Sequence, residues 1–121
     1  MNKLFVVALI LFSSDAFSAW VGYKSDETGS VFFYDDERIR KHGDIVYIWE
    51  RTRYERDLVG VWSSQALVRI NCTEYSYIQL HLTLYSDKNW MKFKSHTDEG
   101  MKVYPQLDSA ALQLVDIVCK K

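Results

Sequence analysis

The sequence is poor in residues that break a chain or carry redox chemistry. Its 121 residues include one proline, Pro105, two cysteines, Cys72 and Cys119, and three histidines, His42, His81 and His96. With five glycines and no tract rich in glycine or proline, a collagen-like fibre is excluded and no linker divides the chain into domains. An excess of charge of either sign is missing as well. The 15 Lys+Arg residues face 16 Asp+Glu, a formal charge of -1, which offers no electrostatic footprint for a phosphate backbone, so no nucleic acid partner is expected. Catalytic patterns are absent too. Ser63-Ser64 lacks the G-x-S-x-G elbow, and the three histidines form no pair at metal-ligand spacing, so neither catalytic residue, metal ligand nor cofactor is predicted. The acidic triplet Asp35-Asp36-Glu37, followed by Arg38, Arg40 and Lys41, reads as a solvated turn with local charge pairing rather than a cation site. What remains, 48% hydrophobic and 26% charged residues, is the composition of a folded soluble domain and not of a disordered chain.

The first 18 residues read as a cleavable export signal. Lys3 supplies the positive start, residues 4–12 are an unbroken apolar run, and Ala16-Phe17-Ser18 offers small residues two apart. The run is far shorter than the roughly 20 residues that cross a bilayer, so no stable membrane anchor is expected from it. No cysteine stands at the cleavage point, which argues against a bacterial lipoprotein anchor and for a periplasmic or secreted protein. Residues 19–121 then form one small domain. In an exported domain an even cysteine count points to a disulfide, here Cys72 with Cys119, and two separate buried thiols are the other reading. Closing that loop stabilises a fold by about 4 kcal/mol on the chain-entropy model. Asn71-Cys72-Thr73 matches a glycosylation acceptor only by chance.

Strand signals dominate the rest. Residues 20–24 and 31–34 flank Asp26-Glu27-Thr28-Gly29 as a hairpin, residues 35–43 read as a loop or short edge strand, and residues 45–54 carry β-branched and aromatic strand formers. Residues 62–65 are ambiguous, while 66–72 and 75–85 form a clear hairpin pair. Residues 90–94 suggest a further strand and 94–100 a loop. After Pro105 the period changes. Ala111, Leu112, Val115, Val118 and Cys119 recur at helical spacing behind Asp108 as N-cap, which predicts a terminal helix of about three turns.

Alternation assigns the faces. Ile78, Leu80, Leu82 and Leu84 fall on one side of their strand with Val68, Ile70 and Cys72 across from them, so the helix is expected to lie there. The opposite face would gather Tyr47, Trp49, Arg51, Arg69, Tyr77, Gln79, His81 and Tyr85. Four Trp, eight Tyr and three Phe lie after residue 18, a surplus of rings of which most carry a polar handle. Aromatics with Arg are what binding surfaces concentrate, although tyrosines also favour strands simply by pairing across them. The edge strand at residues 20–24 could also pair with its copy in a homodimer.

With these elements in order, Val31-Phe32-Phe33-Tyr34-Asp35 and Ile39-Arg40-Lys41-His42-Gly43-Asp44-Ile45-Val46-Tyr47-Ile48-Trp49 resemble the bacterial surface-adhesin protein E family. So do Arg69-Ile70-Asn71-Cys72, Tyr77, Tyr85-Ser86-Asp87, Pro105, Leu112 and Val118-Cys119, so that the likeness spans nearly all of residues 19–121. The resemblance implies an α+β fold: an antiparallel sheet of about six strands with one C-terminal helix tethered to a face by a disulfide. It implies adhesion to host extracellular-matrix or plasma proteins, without enzymatic activity. The sequence departs from the family in lacking the cleavage-point cysteine, and in Gln106-Leu107 where Gly-Ser is usual. No ligand-contacting residue carries over. A periplasmic inhibitor of a hydrolase such as lysozyme or a protease is the alternative, since small disulfide-pinned sheets also serve that purpose.

Overall fold

The computed structural model describes residues 19–98 and 100–120. The export signal read over residues 1–18 lies outside them. Among the described residues seven strands and one helix follow in order: β1 (Trp20–Ser25), β2 (Val31–Asp35), β3 (Arg40–His42), β4 (Ile45–Leu58), β5 (Val61–Asn71), β6 (Ser76–Tyr85), β7 (Phe93–Thr97) and α1 (Ala110–Cys119). They make one antiparallel sheet in the order β1-β2-β4-β5-β6-β7, with β3 beside β2 on the flank of the long β4. Nearly every connection is a hairpin between spatial neighbours. The β4–β5 turn places Val59 and Gly60 at φ of 56° and 81°, the left-handed pair that a tight hairpin demands.

α1 covers one face of the sheet. Leu114, Val115 and Val118 are buried against Val46, Ile48, Ala66, Val68 and Ile70, with Tyr34 and Tyr77 closing the core. The helix is short enough to be marginal alone, and four ties hold it. Ser109 caps it by accepting from the Leu112 amide at 3.1 Å, Gln113 donates to the Tyr23 carbonyl at 2.9 Å, and the Tyr75 hydroxyl donates to Asp116 at 2.6 Å. The fourth is the disulfide from Cys72 to Cys119, at a Cα separation of 5.5 Å. The tethered helix on an antiparallel sheet therefore stands as the sequence predicts.

Several local readings need correction. Ser109, not Asp108, is the N-cap, because Asp108 sits at φ 63° in the preceding turn. The strand expected at residues 90–94 is displaced to Phe93–Thr97, since Asp87 accepts from the amides of Asn89, Met91 and Lys92 and winds that stretch into a turn. Residues 62–65 continue β5 without a break. The largest correction lies in β6. A register shift between Leu67 and Val68 sets Leu67 opposite His81 but Val68 opposite Gln79, leaving Leu80 as an extra residue. One extra residue in a strand exchanges the faces of everything beyond it. Tyr77 and Gln79 consequently turn towards α1, and Ile78 turns to the other side.

Candidate functional site

The face opposite α1 is laid out by register. Arg40, Tyr47, Arg69 and Ile78 stand in one row, Trp49, Leu67 and His81 in the next, then Phe33, Arg51, Gln65, Thr83 and His96, then Val31, Arg53, Ser63, Tyr85 and Phe93. Of the eight residues expected here, Tyr47, Trp49, Arg51, Arg69, His81 and Tyr85 lie on this face. Tyr77 and Gln79 do not. Four arginines share these rows, with Asp98 beyond His81 at one edge and Asp35 at the end of β2 as carboxylates on this side. Asp35 at the end of β2 is fully buried, where it accepts from Arg38 Nε at 2.6 Å and from the Glu37 amide at 3.0 Å. That turns the acidic triplet into a turn with local charge pairing and swings Arg38 over the Trp49 ring, 6.0 Å from its centroid.

The face has two unlike ends. At one end the β6–β7 turn folds Trp90 onto it, fixed by an indole N–H that donates to the Ser64 carbonyl at 2.8 Å. Arg51 is sandwiched between Trp20 at 4.3 Å and Trp90 at 4.6 Å, and Arg53 lies between Trp90 at 5.0 Å and Phe33 at 5.5 Å. Arg51 Nε also donates to Gln65 at 2.7 Å. Burial lowers the Arg51 guanidinium from its ordinary value, a cost that the stacking rings offset. Trp90 was not among the expected site residues. Its place depends on the Asp87 turn, whose only signal in the sequence is the polar cluster Asp87-Lys88-Asn89.

The other end is open. Between β3 and the middle of β4 and β5 lies a cavity of about 640 Å³, lined by Tyr47, Trp49 and Leu67 with Glu37, Arg38, Arg40 and His42 beside them. A smaller cavity of about 210 Å³ continues past Tyr47 and Arg69 to Ile78 and Lys102. Lys102 there pairs with Glu74 at 2.9 Å. This is an apolar floor of aromatic and aliphatic groups with Arg38, Arg40 and Arg69 around it and Glu37 and Glu74 at its rim.

Behind the sheet a second polar group is sealed in. The Tyr77 hydroxyl donates to Glu50, and Gln79 Nε2 lies 3.3 Å from the same oxygen. Burial pushes the Glu50 carboxyl above its usual range, against the pull of those two bonds. The Tyr77 phenol is raised by burial and then by the nearby Glu50 charge. Phe32, Thr52, Ser64 and Ala110 enclose a cavity of about 260 Å³ beside this cluster.

The histidines, apart in sequence, meet in part. His81 Nδ1 and His96 Nε2 lie 3.2 and 2.8 Å from the same Asp98 oxygen. Those bonds, His96's first, hold Asp98 below the ordinary carboxylate range. His42 stands apart, edge-on to Tyr47.

The family described as Surface-adhesin protein E matches residues 20–120. Solved structures of Haemophilus influenzae protein E share the fold. One superposes with a TM-score of 0.63 at 14% identity, covering 88% of this chain and 87% of that one. Another, from a non-typeable strain, gives 0.60 at 15% identity over 88% and 79%. No curated protein sequence matches the chain. With an architecture common to protein E and a match running from the first strand to the end of the helix, the chain belongs to the surface-adhesin protein E family.

Proposed function

We propose that the protein is an exported, non-enzymatic binding module that takes hold of a host extracellular-matrix or plasma protein through the open end of its uncovered sheet face. One observation carries this reading: four arginines and the Tyr47, Trp49 and Leu67 floor share one face, although the chain as a whole is nearly neutral. Such a face suits a partner that presents acidic side chains around an apolar anchor, because complementary charge steers encounter while buried rings supply most of the affinity. Family membership supports adhesion as the concrete form. Residence in the periplasm or outside the cell accords with the export signal read over residues 1–18. Among the described residues no helix is long and apolar enough to cross a membrane.

Binding of the chain to a panel of purified matrix and plasma proteins, compared with a Trp49→Ala variant, tests the proposal. Trp49 is half-buried in the free protein, so its truncation is expected to weaken the best partner about 30-fold, the loss typical of a central aromatic anchor. An unchanged affinity in a variant whose circular dichroism is native would reject this end of the face.

A further inference from the structure

We propose that His81, His96 and Asp98 form a binding site for a divalent transition-metal ion of the zinc type. The site is built by strand pairing. Thr83 lies opposite His96 and Leu82 opposite Thr97, so His81, two residues before Thr83, faces Asp98, two residues after His96. Because alternate residues share a face, both pairs project on the same side of the sheet. The imidazole rings lie 6.1 Å apart and within 15° of parallel, with the Asp98 oxygen reaching both.

The donor set decides the class of ion. One ligand atom from each residue can be chosen so that all three lie within 4.8 Å of one another. Ligand atoms around a tetrahedral zinc ion, at about 2.0–2.1 Å from the metal, stand about 3.3 Å apart. Small rotations of exposed side chains therefore close the site. Two imidazoles and one carboxylate suit zinc, copper or nickel, whereas magnesium and calcium prefer oxygen alone. His96 also has a partner outside the metal shell: its Nδ1 lies 3.0 Å from Thr83 Oγ1. With Nε2 turned to a metal, an Nδ1–H donating to that hydroxyl is the arrangement that fixes ligating histidines. All three ligands are exposed, so at least one position on the ion remains for water or for a group from another molecule.

Zinc titrated into the untagged, chelator-treated chain, followed by calorimetry, tests the site. One ion per chain is expected, with magnesium and calcium giving no signal at the same concentrations. His96→Ala and Asp98→Asn should each weaken zinc binding tenfold or more, Thr83→Val about tenfold, and His42→Ala not at all. These positions are on the surface, and native circular dichroism of each variant without metal keeps the comparison valid. Absence of zinc binding would overturn the proposal, as would binding that survives His96→Ala and Asp98→Asn or is lost in His42→Ala.

Discussion

Replacing Cys72 and Cys119 together with alanine is expected to cost about 4 kcal/mol, the entropy that closing a loop of 47 residues withdraws from the unfolded chain. Small domains have about 5–15 kcal/mol in all, so the variant should lose from about a quarter to most of its stability. The structure makes the loss specific. α1 is ten residues long, its buried contacts come from Leu114, Val115 and Val118, and Cys119 is its last residue. Without the bridge, the C-terminal turn keeps the hydroxyl of Tyr75 on Asp116 as its remaining tie to the β5–β6 turn. Urea unfolding of the variant, and of the parent protein with and without reductant, measures the effect. A loss below about 1 kcal/mol would mean that burial alone secures the helix.

The second large effect concerns Glu50 and Tyr77. Tyr77→Phe leaves the Glu50 carboxylate buried with Gln79 as its remaining side-chain partner among the described residues, and should cost about 1–3 kcal/mol at neutral pH. Glu50 also sets a pH dependence. Its carboxyl is raised in the folded state, so the native protein holds the proton more tightly than the unfolded chain does. The associated stability is fully present below the ordinary glutamate value, about 4.3, and is lost as pH rises from there through the raised folded value. Asp26, Asp87, Asp98 and Glu74 are shifted the other way, so their contribution is lost as pH falls. Subtraction isolates Glu50: in Glu50→Gln the decline on the alkaline side should flatten, while the acid limb is unchanged. Parallel stability curves for Glu50→Gln and the parent between pH 4 and 9 would contradict the assignment.

Much of this architecture is legible because most strands here alternate strictly and pair with a neighbour in sequence. β4 shows it best: Val46 and Ile48 face the helix while Tyr47 and Trp49 face away, as alternation alone predicts. The terminal cysteine likewise marks the helix as tethered. Alternation fails where the register slips. The run from Tyr77 to Tyr85 looks unbroken, and nothing in Leu80 distinguishes an extra residue from an ordinary strand position, so Tyr77 and Gln79 are assigned to the wrong face. The bulge is a property of how β6 meets β5, and it brings Tyr77 to the buried Glu50. Trp90 and the His81–His96 pair are hidden for a related reason. Their meeting depends on the Asp87 turn and on the β6–β7 register, both of which join residues whose spacing matches no motif.

The central claim is that the partner is met by the uncovered sheet face and not by the helix side. Reversing one charge on each side tests it directly. Arg69 stands in the open row beside Tyr47, and Lys120 is exposed at the end of α1, 3.6 Å from Asp116. With affinity for the best matrix or plasma partner measured for both variants, Arg69→Glu should abolish detectable binding, because a like charge facing an acidic partner costs several kcal/mol, and Lys120→Glu should leave it nearly unchanged. Loss of binding in Lys120→Glu with retention in Arg69→Glu would place the interface on the opposite side of the molecule and contradict the account.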